Sequence, residues 1–195
     1  MRWLNFRLIF TVLVITLLPD TARSINLRPD AVTLQFGGGM GLPSVGVDWK
    51  YGAGQRFETE LGVGLIPKYD SSCAKASFTI KENFVPWHID LSSRFNLEPL
   101  LVSLYFTTVL SDKFWMKQPS RYQPGYYRLP TQVRANLSIG QRVSYKIPSE
   151  HRVVKVVSVF YELATCDIYL LSAFGNSSLS PADWLMLTLG IKLNF

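Results

Sequence analysis

His88, Asp90 and Ser92 are the residues whose types and spacing come nearest to catalysis in this chain. Hydrolysis by a nucleophile needs a hydroxyl to attack, an imidazole to take its proton and a carboxylate to orient the ring. On an extended strand, positions i, i+2 and i+4 share one face, so these three side chains would point the same way. Strand rise would also separate His88 from Ser92 by about 13 Å, too far for direct proton transfer. The three are therefore candidates without a working geometry, and no catalytic residue is assigned. The competing role for His88 and Asp90 is a shared hydrogen-bonded polar network. No metal-ligand cluster or cofactor motif accompanies them, so neither a metal nor a cofactor is expected.

Two other groups carry chemical potential. Lys113, Trp115, Lys117, Arg121, Tyr122, Tyr126, Tyr127 and Arg128 interleave cations with aromatics in a segment that Pro119, Pro124, Gly125 and Pro130 shape. Such a loop suits anchoring at a lipid interface, and its cations and rings suit phosphates and sugars. Cys73 and Cys166 are the two cysteines, a candidate disulfide in an oxidising compartment.

The elements that would position these residues read as strands. From Trp184 to Phe195, Leu185, Leu187, Leu189, Ile191, Leu193 and Phe195 alternate with Met186, Thr188, Gly190, Lys192 and Asn194. That period of two marks a strand with one apolar and one polar face. The pattern recurs upstream. Alternation places strands at about 31–40, 44–51, 56–66, 76–93, 100–110, 131–146 and 183–195, with an apolar segment of ambiguous parity at 152–163. The fourth changes parity between Ile80 and Trp87, which requires a bulge near Pro86. The polar faces carry Asp48, Lys50, Glu58, Glu60, His88, Asp90, Arg134 and Lys192.

The first 24 residues have a different character. Arg2 and Arg7 precede an 11-residue run from Leu8 to Leu18, then Pro19 and small residues at Ala22 and Ser24. This is the layout of a cleaved secretory signal, and the run falls well short of the roughly 20 residues of a spanning helix. The expected mature domain is 25–195. Losing Arg2, Arg7, Arg23 and Asp20 lowers the formal charge from +6 to +4. With no basic run, that balance gives no footprint for nucleic acid.

Eight strands with connections alternating between short and long describe an all-β, antiparallel, up-and-down transmembrane β-barrel. The short turns are expected at 52–55, 94–99 and 147–151, and the opposite loops at 41–43, 67–75, 111–130 and 164–182. In that topology Cys73 and Cys166 lie at the same end. The chain resembles small bacterial outer-membrane β-barrels of the OmpX- and OmpW-like size class, and the resemblance is one of architecture over the mature length. It implies residence in the bacterial outer membrane, contact with lipids and lipopolysaccharide, and Phe195 as a terminal signal for the barrel-assembly machinery. It also implies a surface or structural role with a lumen plugged by the inward polar residues. The alternatives are a narrow, porin-like channel for small solutes and a lipid A-modifying enzyme. A lipid A deacylase of the PagL type uses His and Ser two apart on one barrel strand, whereas here the residue two after His88 is Asp90.

Overall fold

The computed structural model describes residues 28–68, 74–110, 133–148, 153–176 and 178–195. Its strands are β1 (Ala31–Gly37), β2 (Pro43–Tyr51), β3 (Phe57–Ile66), β4 (Lys75–Phe84), β5 (Ile89–Asp90), β6 (Phe95–Leu110), β7 (Val133–Lys146), β8 (Val156–Cys166) and β9 (Met186–Asn194). Helices α1 (Asp167–Gly175) and α2 (Pro181–Trp184) lie between β8 and β9.

Eight of these strands close a ring in the order β1-β2-β3-β4-β6-β7-β8-β9, each antiparallel to its neighbours. Pairing from Ala31 with Asn194 to Gly37 with Thr188 joins the first strand to the last. The expected all-β antiparallel barrel of eight strands is the fold observed. Closure matters because it leaves no unpaired sheet edge around the ring. The β2–β3 turn, the β7–β8 turn and Asn194 lie at one end, called here the terminal end. The other end, where β8 passes into α1, is the mouth.

Polarity is inverted relative to a water-soluble protein. Along β9, Leu187, Leu189 and Ile191 face outward and are exposed, while Thr188, Gly190 and Lys192 are buried inside. The same holds on β8, where Val159 is 58% exposed and its neighbour Ser158 is 2% exposed. Asp48, Glu58, Lys81 and Arg142 are all nearly inaccessible, whereas Leu34, Phe36, Val63, Ile80 and Leu104 are open to the surroundings. Aromatics collect on the outer wall at the terminal end. Tyr51 stacks on Phe57 at 5.9 Å, Phe57 meets Phe84 at 5.1 Å, and Phe95 meets Tyr145 at 5.0 Å.

Several expected boundaries are corrected. The fourth strand ends at Phe84 rather than running to 93, and no bulge forms at Pro86. Val85 instead turns away, buried, with its N–H donated to Arg56 O at 2.8 Å, and Pro86 has no donor with which to continue the ladder. The chain then makes the short β5, which pairs Ile89 with Leu97 and Asp90 with Asn96. Residues 95–99, expected within a turn, belong to β6, and the register shift falls there, between Glu98 and Leu101. Pro99 explains that position, since it too lacks an N–H for the ladder. The 152–163 strand begins at Val156 and runs to Cys166, and helices occupy part of the expected 164–182 loop.

β1 stops at Gly37, three residues short of expectation. Gly37, Gly38, Gly39 and Gly41 all adopt positive φ, which residues bearing a Cβ reach only with strain. This freedom folds the turn back into the mouth, where Met40 is 1% exposed against Tyr105 and Ala164. The Tyr105 hydroxyl donates to Gly38 O and the Ser77 hydroxyl to Met40 O.

Candidate functional site: the charged interior

An eight-stranded barrel has room inside for side chains and little else. Charges placed there must find partners, because an unpaired buried charge costs several kcal/mol. Two clusters meet that demand.

The first lies toward the terminal end and centres on Glu58 of β3. Arg142 of β7 reaches it bidentately, with Nη1 and Nη2 at 2.8 and 2.9 Å, and Lys192 of β9 at 2.7 Å. Lys192 also lies 2.7 Å from Asp48 of β2, whose other oxygen accepts from Thr33 of β1 at 2.6 Å. Arg142 Nε donates to Glu98 of β6. The network thus ties β1, β2, β3, β6, β7 and β9 together across the lumen. The planar guanidinium suits this position, since its fixed fork serves two carboxylates at once.

The second cluster lies nearer the mouth. Lys81 of β4 is held between the two oxygens of Glu162 of β8, at 2.7 and 2.8 Å, and Ser138 of β7 donates to Glu162 at 2.9 Å. The rings of Tyr105 and Phe160 lie 5.7 and 5.6 Å from the ammonium, within cation–π range. Small residues opposite large ones make the space. A Cβ on Gly190 would sit 2.1 Å from the Phe160 ring, and one on Gly46 would sit 2.6 Å from Glu60 Oε1.

Between the clusters remains a void of about 10 Å³, lined by Glu60, Lys81, Arg142, Glu162 and Lys192 among others. That is the size needed for about one water. Glu60 is 2% exposed and, among the described residues, has no cation within 4 Å. Below Arg142 the interior widens into a vestibule of about 240 Å³ that opens at the terminal end.

The expected inward residues divide. Asp48, Glu58, Glu60 and Lys192 are in the interior, and Lys50 is at its lower edge, 3.6 Å from Glu58. Arg134 is near the mouth, 3.6 Å from Asp167. Asp90 is a correction, whereas His88 lines the vestibule below Arg142 and joins the network through Glu98. Neither lies on a strand of the ring, because β4 has already ended. His88 Nδ1 is 3.3 Å from Glu98, while Asp90 is largely exposed and 3.8 Å from Lys146. Ser92 accepts backbone N–H bonds from Arg94 and Phe95 within its own turn. The three catalytic candidates are thus each committed to separate partners.

Sequence reasoning did not name Lys81, Glu98, Arg142 or Glu162. Arg142 was accessible to it, since it alternates with the outward Val143 and Tyr145. Glu162 was hidden by the ambiguous parity of its apolar segment. Cys166 forms no disulfide among the described residues, and Cys73 lies outside them. Lys113, Trp115, Lys117, Arg121, Tyr122, Tyr126, Tyr127 and Arg128 also lie outside the described residues. Phe195 donates its N–H to Asp30 O at 2.9 Å, extending the β9–β1 pairing.

Outside the barrel, Glu82 of β4 faces outward and accepts from Tyr51 at 2.5 Å and Thr59 at 2.6 Å. At the mouth, α1 displays Ile168, Tyr169, Leu171 and Phe174, the last 84% exposed. α2 begins with a capping box, in which Ser180 donates both its N–H and its hydroxyl to Asp183 at 2.8 Å. These hydrogen bonds hold the Asp183 carboxyl below its ordinary pKa.

Fold and site together define a closed eight-stranded antiparallel barrel with an apolar wall and a charged interior. Comparison of the chain with protein-family models, curated proteins and solved structures returns no match.

Proposed function

We propose that the protein is an integral barrel of the bacterial outer membrane, with a structural or surface-interaction role and a lumen closed by its own ion pairs. The observation that carries this reading is the inverted polarity: the wall presents leucine, valine, isoleucine and phenylalanine, and the interior keeps the charges. In water such a continuous apolar wall would drive aggregation, whereas in hydrocarbon it is the required surface. The aromatics at the terminal end fit the girdle that transmembrane barrels place at headgroup depth. Residues 1–24 as a cleaved signal supply the route out of the cytoplasm. In this reading the segment of cations and aromatics from Lys113 to Arg128, which lies outside the described residues, contacts lipopolysaccharide.

What supports the closed lumen is the pair of ion-pair clusters, between which a void of about 10 Å³ remains, room for roughly one water. Membrane fractionation followed by unboiled and boiled gel electrophoresis tests the location. The protein is expected in the outer-membrane fraction with heat-dependent migration; recovery in the soluble fraction without that shift would overturn the proposal. In planar bilayers the folded protein is expected to give no unitary steps, and steady steps would replace the closed lumen with a channel.

A further inference from the structure

We propose that Glu82, Tyr51 and Thr59 form a site on the outer wall for a lipid headgroup bearing a primary ammonium. The inference deepens the membrane reading and rests on it. The three side chains come from β4, β2 and β3, and each is half-buried, so the group keeps surface that a ligand can reach. Thr59 is the cross-strand neighbour of Trp49 and of Glu82, and Glu82 is that of Leu104, which sets the carboxylate in an outward-facing row.

An ionised group on a wall that meets lipid is costly and calls for a partner. Glu82 Oε1 accepts from the Tyr51 hydroxyl at 2.5 Å and Oε2 from the Thr59 hydroxyl at 2.6 Å. Among the described residues no cation lies within 4 Å of it. Both hydroxyl protons are therefore committed to the carboxylate. What the cluster still presents is acceptors alone, the remaining lone pairs of Glu82, Tyr51 and Thr59, with one uncompensated negative charge. That combination selects a cation rich in N–H donors. A primary ammonium carries three such donors, and a quaternary ammonium carries none.

Its place on the wall makes a lipid the source of that ammonium. Toward the terminal end the cluster adjoins the ring contacts of Tyr51, Phe57 and Phe84, aromatics of the kind that mark headgroup depth. Beside it and toward the mouth, Leu104, Ile80 and Val63 are each about half exposed and offer acyl chains an apolar surface. A soluble amine would meet the carboxylate and leave that surface unused.

The test is calorimetric titration of the purified full-length protein in detergent with dihexanoyl phosphatidylethanolamine. Dihexanoyl phosphatidylcholine, which differs only by N-methylation, is the comparison. The ethanolamine lipid is expected to bind saturably at one site per chain, with the choline lipid at least about tenfold weaker, as loss of one charged hydrogen bond implies. Glu82→Gln keeps the side-chain shape and should bring the ethanolamine lipid down to the choline level, with heat-dependent gel migration verifying its fold. Equal affinities in the unsubstituted protein, or a preference that survives Glu82→Gln, would overturn the proposal. Glycerophosphoethanolamine binding as tightly as the lipid would make this a site for a soluble amine and also overturn it. Carbodiimide cross-linking of Glu82 to a lysine of a second chain, undiminished by the ethanolamine lipid, would give the place to a protein and do the same. Loss of the lipid preference in a protein that still fractionates with the membrane would leave the membrane reading standing, whereas recovery in the soluble fraction would overturn both.

Discussion

Glu58 and Glu60 sit two residues apart on one strand face, yet their surroundings give them different energetic weight. Glu58 receives Arg142 and Lys192, so Glu58→Gln leaves two cations buried with one carboxylate fewer. Breaking such a pair typically costs about 3–5 kcal/mol. Glu60 adjoins the small void, and among the described residues no cation lies within 4 Å of it, so Glu60→Gln should shift stability by less than about 1 kcal/mol. Urea unfolding of the two variants in lipid vesicles checks this. Equal losses would mean that the Glu58 network contributes no more than the isolated carboxyl. Alternation made both residues legible as inward-facing. It could not distinguish them, because Arg142 is 84 positions from Glu58 and Lys192 is 134 away. Partnership across the lumen is decided by closure of the ring, which local sequence does not encode.

At the scale of elements, small residues set how β8 and β9 fit. Phe160 occupies the space that a side chain on Gly190 would take. Gly190→Val should therefore cost about 1–3 kcal/mol through overpacking, and Phe160→Ala in the same chain should recover part of it. Recovery is read from the unfolding midpoints of the single and double variants; its absence would remove the steric explanation. β9 was readable because its alternation is unbroken, whereas β8 was not, because Phe160 and Ala164 put apolar residues on both faces. The stretch from β4 to β6 misled for a related reason. Pro86 and a parity change suggested one bulged strand, where the chain makes a strand, a turn and a second pairing arm. α1 makes its own prediction, since Ile168, Tyr169, Leu171 and Phe174 leave apolar side chains exposed at the mouth. In Phe174→Trp, lipids brominated near the headgroup should quench the indole fluorescence that helix position 174 contributes above the wild-type signal. An unquenched increment would place the helix in water.

Across the whole molecule, the account requires one side of every ring strand to meet hydrocarbon and the other to be shut inside. The expected class of fold emerged because period-two alternation recurs in segment after segment between residues 31 and 195, and one face is consistently apolar. Sequence could not reveal the inward-folded glycine turn or the vestibule, since both arise only once the ends of the barrel exist. The most direct test is nitroxide accessibility along β8 in lipid vesicles. Labels would be placed singly at 157, 159, 161 and 163, and at 158 for contrast, in a chain with Cys73 and Cys166 replaced. The outward positions should collide readily with oxygen and scarcely with a water-soluble nickel chelate, while 158 should be shielded from both. Nickel collisions at 159 and 161 as frequent as those of a label in free solution would contradict the account, because the wall would then face water.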